Sequence, residues 1–281
     1  MRIGPEDLNG TIGAASEDLS VIVPVYNEER TLGAMIDRLV KVPGLKEVVI
    51  VDDASTDSTP DVIAEVRERY PKVRTIRLDK NSGKTAAIRA GAAETSGDIV
   101  MIQDADLEYD PAEIPSVVAP IREGVADVVY GSRFMVKRAA RVIYYYHYLG
   151  NKALTIVSNL LTNVNFSDIE TCYKAFRGEI IRNLTISSSG FGFEVEATAK
   201  IAKLKCRIYE VPISYYGRTY EEGKKITYRD GVAALYYILR FNLFCSLGDS
   251  FVEIPRLGER RPVILPGDGP DKRELPVRTE A

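Results

Sequence analysis

Histidine is nearly absent from this chain, and cysteine is scarce. The 281 residues include one histidine, His147, which excludes zinc sites built from several histidines. No GxSxG motif accompanies it, so a serine hydrolase with a nucleophile elbow is not indicated. The three cysteines, Cys172, Cys206 and Cys245, are odd in number and lack a CxxC spacing. They predict neither a disulfide framework nor a zinc site, and they fit a reducing cytoplasm.

The chain also lacks a strong excess of charge and a long apolar run. Its net charge of −3 gives no reason to expect nucleic-acid binding. The longest apolar stretch begins at Gly231 and is interrupted by Arg240 and Asn242, so it falls short of the ~18 apolar residues of a membrane-spanning helix. Residues 1–18 lack the apolar centre of a signal peptide. We expect a cytoplasmic protein that does not cross a membrane, with peripheral attachment to the inner face of the cell membrane left open.

What the first half does contain is a regular alternation of two patterns. Short, nearly continuous apolar segments rich in β-branched residues predict strands at 19–26, 46–53, 73–79, 97–104 and 126–132. Amphipathic segments between them predict helices at 28–42, 58–70, 84–95 and 111–123. This alternation predicts an α/β fold with a doubly wound, mostly parallel sheet. In such sheets ligands bind beyond the carboxyl ends of the strands.

The second half is richer in aromatic residues. It predicts helices at 142–161, at 190–204 and from 231 onward, with strands ending near 177 and 216. The predicted organisation is a flexible leader at 1–18, a catalytic domain at 19–215, a basic loop and amphipathic helix at 216–250, and a disordered tail at 251–281. The tyrosine-rich helices suit a membrane interface, although core packing or dimerisation is equally compatible with them.

Three acidic side chains follow the fourth predicted strand at alternate positions. They are Asp104, Asp106 and Glu108, and carboxylates held this close repel unless a cation lies between them. Alternate residues of an extended strand point the same way, so two of them can share Mg²⁺ or Mn²⁺, with Glu108 as a third donor. The alternative is a surface loop whose aspartates cap the helix that starts near Pro111.

Two other strand ends carry candidate ligands. Asp53 ends the second strand, where a carboxylate can accept hydrogen bonds from a ribose or a base, while Asp57 or Ser58 is the better helix cap. Lys84 starts a helix and can favour an anion there. It does not belong to a P-loop, because Leu78 stands where that motif needs glycine. The alternative for Lys84 is an ordinary surface charge.

Basic residues follow the last strands. Arg133 comes after the fifth strand, and the segment GRTYEEGKK contributes Arg218 and Lys224. Arginine binds phosphate through a planar fork, whereas lysine acts as a point charge. Basic residues opposite an acidic metal site suggest two anionic partners, one bound through the metal and one through the arginines. The alternative is solvated surface charge.

Seven motifs occur in one order between Val21 and Glu196: VIVPVYNEE, VDDASTDST, NSGKTAAIRAG, QDADLEYDP, GSRF, ETCYKAFR and GFGFEVE. With them the chain resembles the family 2 glycosyltransferases of GT-A fold, and especially the dolichol-phosphate mannose and polyprenyl-phosphate sugar synthases. The resemblance implies metal-dependent, inverting transfer of a sugar from GDP-mannose or a UDP-hexose to a polyprenyl or dolichyl phosphate.

The resemblance also implies roles for particular residues. It implies Mg²⁺ or Mn²⁺ at Asp104, Asp106 and Glu108, although mannose synthases often carry glutamine at the third position. It implies catalytic roles for Asp104, Asp106, Arg133 and Arg218, and contacts with the acceptor phosphate by Arg133, Arg218 and Lys224. The donor is expected to contact Pro24, Tyr26, Asn27, Glu28, Asp53, Lys84, Asp104 and Ala105. Glu170, Thr171 and Lys174 are expected in the pocket without an assigned role.

Two other functions remain compatible with the sequence. The same fold can transfer sugar to a hydroxyl acceptor on a glycan or small molecule, with Glu194 or an acid near Asp168 as the general base. A non-catalytic scaffold at a membrane surface is the third possibility. The intact acidic and basic motifs argue against it.

Overall fold

A seven-stranded mixed sheet forms the centre of the protein in a computed structural model that describes residues 17–135, 141, 144–217 and 228–257. The strands lie in the order β3-β2-β1-β4-β6-β5-β7. They are β1 Leu19–Val25, β2 Leu45–Asp52, β3 Val73–Arg77, β4 Ile99–Ile102, β5 Val128–Ser132, β6 Lys174–Arg177 and β7 Ile208–Pro212. Neighbouring strands are parallel except for β6, which is antiparallel to β4 and β5. The predicted α/β fold with a mostly parallel sheet is confirmed.

Most helices occur where the sequence periodicity predicts them, with shifted ends, but the short helix at Gly178–Asn183 is not among those predicted. They are α1 Leu32–Leu39, α2 Thr59–Arg69, α3 Lys84–Glu94, α4 Ile114–Arg122, α5 Tyr145–Thr162, α6 Gly178–Asn183, α7 Phe193–Leu204, α8 Tyr228–Leu243 and α9 Leu247–Ser250. The prediction for the first helix, 28–42, is too long at both ends. Turns precede Leu32, and Pro43 follows shortly after the helix and disfavours helical backbone at the residue before it.

A crevice lies beside β1 at the centre of the sheet, where the pairing between β1 and β4 ends. Every residue of β1 is buried, and the strand pairs with β2 along its whole length. Its pairing with β4 stops at Ile22 and Ile102, so Pro24 lies beyond that ladder, where its missing N–H costs no hydrogen bond. The chain runs from β1 outward to β2 and β3 and then returns to β4 on the other side. This reversal creates the crevice in which open α/β sheets bind ligands.

The second half covers the remaining side of this crevice. Helix α7 packs against α8, and α5 packs against both of them. The short strands β6 and β7 join the sheet at its far side, next to β4 and β5. No helix among the described residues is both long enough and apolar enough to span a membrane.

Two expectations differ from the structure. The acids after β4 do not lie on extended backbone, because β4 ends at Ile102 and a turn follows in which Leu107 has a φ of 61°. The predicted tail begins too early, because Phe251 is 4% exposed and forms an isolated antiparallel bridge with Leu184. Apolar contacts continue as far as Leu257, which packs against the core. The rest of the predicted tail, the leader through residue 16 and the loop 218–227 lie outside the described residues.

Candidate active site

A cavity of about 990 Å³ lies beyond the carboxyl ends of β1, β2 and β4. Most of the predicted site residues line it: Pro24, Tyr26, Glu28, Asp53, Lys84, Asp104, Ala105, Asp106, Glu108 and Arg133. Asn27 does not, since its side-chain oxygen accepts a hydrogen bond from the backbone N–H of Thr56 at 2.8 Å. Arg218 and Lys224 lie outside the described residues. The fold therefore places the predicted donor-side residues other than Asn27, together with the acceptor-side Arg133, around one space.

Asp53 organises the loop that leads into α3. One of its carboxylate oxygens accepts the backbone N–H of Ser82 and the other accepts that of Gly83, both at 2.7 Å. The N-cap residue of α2 is Ser58, whose side chain makes no capping hydrogen bond, while Asp57 accepts the N–H of Thr59, the first residue of α2, at 3.0 Å. Asp53 still borders the cavity, so its predicted contact with a base or ribose would use the remaining lone pairs of its oxygens.

Gly83 allows two loops of the site to interlock. Its φ is +87°, and a Cβ at this position would come within 3.0 Å of the backbone of Gly190. The N–H and hydroxyl of Thr85 both donate to the Gly190 carbonyl at 3.0 Å, and the same hydroxyl accepts from the Phe193 N–H. This close approach brings the start of α3 next to the start of α7, and with it Lys84 next to Glu194.

Lys84 links two of the acids that line the cavity. Its ammonium lies 2.8 Å from a carboxylate oxygen of Asp104 and 3.2 Å from one of Glu194. Burial alone would lower the pKa of Lys84, but the negative charges around it, chiefly Asp104, outweigh burial and raise the pKa well above its ordinary value. Lys84 is therefore a fixed cation inside the cavity, and the alternative of an ordinary surface charge is not what the structure shows.

We call residues 104–108, which follow β4, the acidic turn. Its carboxylates are ligands of the kind that hold a divalent cation together with a bound substrate. Asp104 and Asp106 both border the cavity, and Asp104 already binds a cation in the form of Lys84. Within the described part of the chain, no group of three or more acids, histidines or cysteines could hold a metal ion by itself. Mg²⁺ usually binds one or two carboxylates and completes its coordination with substrate phosphates and water. The ligand set of Asp104, Asp106 and Glu108 stays a prediction.

Glu108 has a partner across the cavity wall. One of its oxygens accepts a hydrogen bond from the hydroxyl of Tyr215 at 2.7 Å, and its backbone carbonyl accepts the N–H of Tyr216 at 2.9 Å. Tyr215 follows β7 and lines the cavity. The third predicted metal ligand is therefore joined to the segment that leads toward Arg218.

Arg133 is held in place by a buried acid. Its Nε and one terminal nitrogen donate to the two oxygens of Asp168 at 2.7 and 2.8 Å, and Asp168 is fully buried. Burial alone would raise the pKa of Asp168, but the charge of Arg133 and its hydrogen bonds lower it instead. A guanidinium has five N–H donors, so this pair leaves donors for a phosphate.

Glu170 and Glu194 form a second group of acids in the wall of the cavity. Burial, and next the charge of Glu194, raises the pKa of Glu170 to about 7. One oxygen of Glu170 and one of Glu194 are buried without a hydrogen-bond partner, and both residues border the cavity. Lys174 is fully buried and donates to the carbonyls of Ile169 and Thr171, so it fixes the backbone on both sides of Glu170. Of the three residues expected in the pocket, only Glu170 lines it.

The remaining wall combines aromatic and apolar side chains with the polar residues Arg141, Asn151 and Asp230. Residues Tyr144, Tyr146, His147 and Leu154 around α5, with Gly231 and Ala234 of α8, border the cavity. The outer surface of these helices exposes large apolar side chains, among them Tyr145, Tyr146, Leu149, Ile156, Leu160, Val232, Leu235, Tyr236, Leu239, Leu243 and Phe244. We call this outer surface the α5–α8 patch. Of the residues named in this patch, Tyr146 also borders the cavity.

Comparison with known proteins agrees with this arrangement. The sequence model described as glycosyl transferase family 2 matches residues 20–185, which is more than half of the chain. The chain belongs to glycosyl transferase family 2. The match covers the strands β1 to β6 and the acidic turn, and it confirms the resemblance drawn from the seven motifs.

Two relatives in this family act on lipid phosphates according to their names. A dolichol-phosphate mannosyltransferase from Pyrococcus furiosus is 31% identical over 73% of this chain and 58% of its own length. An undecaprenyl-phosphate mannosyltransferase from Micrococcus luteus is 30% identical over 72% of this chain and 85% of its own length. The chain thus spans little more than half of the first relative and most of the second.

A solved structure shares the fold. Glucosyl-3-phosphoglycerate synthase from Mycobacterium tuberculosis, in complex with Mn²⁺, UDP and phosphoglyceric acid, has a TM-score of 0.62 and is 20% identical. The likeness covers 80% of this chain and 78% of that one. It confirms the predicted GT-A-like fold.

Proposed function

We propose that this protein is a metal-dependent, inverting glycosyltransferase that moves a sugar from a nucleotide sugar to a polyprenyl phosphate. One observation carries the proposal: a single cavity joins the acids Asp104 and Asp106 and the largely buried cation Arg133 to tyrosines at the start of α5 and to small residues of α8. The names of the two mannosyltransferase relatives support a lipid phosphate as acceptor. GDP-mannose and UDP-hexoses are the candidate donors.

The donor would occupy the side of the cavity formed by β1, β2 and β4. Asp53 would accept hydrogen bonds from the ribose or base, beside Pro24 and Tyr26. Asp104 and Asp106 would hold Mg²⁺ or Mn²⁺, and the bound ion would stabilise the negative charge that grows on the departing diphosphate. Lys84, already 2.8 Å from Asp104, lies where it can add a second positive charge to that side.

The acceptor would approach from the side of Arg133. A polyprenyl phosphate is anionic near neutral pH, so its oxygen can attack without a general base. It needs cations that orient it, and Arg133 supplies a guanidinium that Asp168 holds rigidly. Arg218 and Lys224 are proposed to assist. Direct attack by this oxygen on the anomeric carbon would invert its configuration.

The α5–α8 patch would bring the enzyme to its lipid acceptor. Leu160, Phe244 and Tyr146 are 78%, 83% and 84% exposed, and they lie on or next to the two packed helices α5 and α8. Lys152 lies over the rings of Phe134 and Tyr148, and Arg240 lies over the ring of Phe241, so basic residues neighbour aromatic rings here as they do at a membrane interface. We propose that the patch lies on a membrane surface and that the polyprenyl chain passes over it into the cavity.

A second function is favoured by one specific observation. The pKa of Glu170 is raised to about 7, and a general base works best when its pKa is close to the operating pH. Glu170 is an acid near Asp168, and it borders the cavity. A hydroxyl acceptor would need such a base, whereas a phosphate acceptor would not.

A transfer assay separates these functions. Labelled GDP-mannose or UDP-glucose is incubated with Mn²⁺ and either extracted polyprenyl phosphate or soluble sugars, and the label is followed into lipid and water-soluble products. We expect label in the lipid fraction. Label in soluble glycans alone would support the hydroxyl acceptor, and no transfer with any donor would favour a non-catalytic scaffold.

The pH dependence of the same reaction adds a second criterion. A base with a pKa of about 7 makes the rate rise about tenfold between pH 6 and pH 8. For a phosphate acceptor with a second pKa of about 6, the dianionic fraction rises by only about twofold over that range. We expect the smaller change, and we expect Glu170→Gln to leave the profile unaltered. A tenfold rise that Glu170→Gln removes would establish the base-assisted route.

A further inference from the structure

Glu170 and Glu194 each have one buried carboxylate oxygen without a hydrogen bond, and both residues line the cavity. A third such oxygen in the described part of the chain belongs to Glu179, but Arg177 forms an ion pair with it at 2.6 Å. Burying an acceptor without a partner is costly, so folded proteins rarely leave one unpaired unless a ligand or water supplies the donor. The cavity is the space from which such a donor can come.

Helix α7 also contains a buried acid whose hydrogen bonds are complete. Glu196 is fully buried and accepts from the N–H groups of Ser187 at 2.9 Å and Ser188 at 2.8 Å, and from the ammonium of Lys200 at 2.6 Å. Glu194 lies two residues earlier and is 5% exposed, yet only one of its two oxygens has a partner. The unpaired oxygen of Glu194 is therefore not the rule for buried acids in this helix.

Lys84 places the two glutamates beside the predicted metal site. Its ammonium lies 2.8 Å from Asp104 and 3.2 Å from Glu194, so these two carboxylates flank one cation. The charge of Glu194 also contributes to the raised pKa of Glu170, so the two glutamates are close enough to interact. In the proposed function a metal at Asp104 holds the diphosphate of the donor. The sugar is bonded directly to that diphosphate, which brings its hydroxyls within reach of the two glutamates.

The lysines beside the two glutamates already have partners. Lys84 contacts two carboxylates, and Lys174 is fully buried and donates to backbone carbonyls on both sides of Glu170. A hydroxyl can donate to an unpaired carboxylate oxygen, whereas a carboxylate on the ligand would meet two charges of its own sign. This part of the cavity therefore suits a group that is uncharged and rich in hydroxyls.

We propose that Glu170 and Glu194 select the donor sugar: they accept hydrogen bonds from the hydroxyls of an uncharged hexosyl group and exclude a sugar that carries a carboxylate. This inference rests on the proposed function, in which the donor is a nucleotide sugar, and it names the class of sugar that the site takes. It assigns Glu170 to the donor and gives it no part in removing a proton from the acceptor.

Donor binding in the absence of any acceptor tests the selection. Isothermal titration calorimetry with Mn²⁺ compares GDP, GDP-mannose and GDP-mannuronate, and in parallel UDP, UDP-glucose and UDP-glucuronate. In the series that the wild type binds, the uncharged nucleotide sugar should have a Kd at least about tenfold lower than the uronate. The two ligands differ only in the charged carboxylate of the sugar, so their ratio isolates the effect of that charge.

Substitutions separate hydrogen bonding from charge. Glu170→Ala should raise the Kd of the uncharged nucleotide sugar at least about tenfold, the value of a hydrogen bond to a charged group, and change that of the nucleoside diphosphate less than about twofold. Glu170→Gln and Glu194→Gln keep an acceptor oxygen without its charge, so each should lose less affinity and narrow the gap to the uronate at least about threefold. Glu68→Ala is the matched control, because Glu68 is exposed on α2 and does not line the cavity. Thermal unfolding checks that every variant is folded.

Two results would overturn the inference and leave the proposed function in place. One is an unchanged affinity of Glu170→Ala for the uncharged nucleotide sugar, which would assign the unpaired oxygens to bound water or Glu170 to the acceptor. The other is equal binding of the uncharged sugar and the uronate by the wild type. In both cases the protein still binds a donor. A wild type that binds neither nucleoside diphosphate nor any of the nucleotide sugars with Mn²⁺ refutes the proposed function, and the inference with it.

Discussion

The two sides of the cavity are built in opposite ways. On the donor side, acids at strand ends are tied to backbone N–H groups and to Lys84, as Asp53 and Asp104 show. On the acceptor side, helices α5 and α8 leave large apolar side chains exposed, and Arg133 is the fixed charge between the two regions. In the proposed function the first surface binds a water-soluble nucleotide sugar, and the second, most of which lies outside the cavity, meets a lipid.

Removing the central acid of the donor side should have the largest effect. Asp104→Ala should abolish transfer, a loss of about a thousandfold or more, because the charge that would hold the cation disappears. The fold should persist, since Asp104 lies after the end of β4 and is not part of the hydrophobic core. Initial rates and circular dichroism measure the two effects. Asp61→Ala, an exposed acid on α2, is the control, and near-normal rates in Asp104→Ala would refute the assignment.

Breaking the ion pair between Arg133 and Asp168, which lies between the two sides of the cavity, should lower the stability of the fold. Asp168→Ala leaves the buried guanidinium of Arg133 without its partner, which should lower the free energy of unfolding by about 3 kcal/mol or more. Chemical denaturation measures this change. Arg74→Ala removes the salt bridges of a half-exposed arginine and should cost about 1 kcal/mol or less.

The same ion pair predicts how stability depends on pH. Arg133 outweighs burial and lowers the pKa of Asp168 in the folded state. Its contribution is therefore complete above the ordinary aspartate pKa of about 3.9, and it is lost as the pH falls through the lower folded value. The wild type should lose stability below about pH 4, and Asp168→Ala should lose less over that range. Parallel curves for the two proteins would contradict the pairing.

Changing the acceptor side should have a smaller and more selective effect. Leu160→Ser combined with Phe244→Ser removes two of the most exposed apolar side chains and should weaken binding to anionic lipid vesicles about tenfold or more. Vesicle sedimentation measures the binding. Transfer to a short-chain, water-soluble acceptor phosphate should stay unchanged. Equal vesicle binding by wild type and variant would contradict the proposal that the α5–α8 patch lies on a membrane surface.

Much of the donor side could be predicted from the sequence because its signals are local. Strand periodicity, the acids after β4 and the helix start at Lys84 are all read within short windows. One local detail was wrong, since the acids lie in a turn that contains a left-handed Leu107. Nothing in the pattern of side chains marks that backbone conformation.

The acceptor side depends on contacts between distant positions. Arg133 and Asp168 are 35 residues apart, and Glu108 and Tyr215 are 107 apart. Asp168 was considered only as a neighbour of a possible base, and Tyr215 was not singled out. A buried arginine at a strand end requires a buried counter-ion, but several acids could have supplied it. Only the packing of the loop after α5 and the segment after β7 selects these two.

Binding of Mn²⁺ and a nucleoside diphosphate to the same corner tests the central claim most directly. We would follow the thermal unfolding of the wild type and of Asp104→Ala with GDP and UDP, each in the presence and absence of Mn²⁺. The account predicts that one nucleotide raises the wild-type Tm only when Mn²⁺ is present, and that Asp104→Ala loses this shift. A nucleotide shift that is independent of Mn²⁺, or that persists in Asp104→Ala, would contradict it.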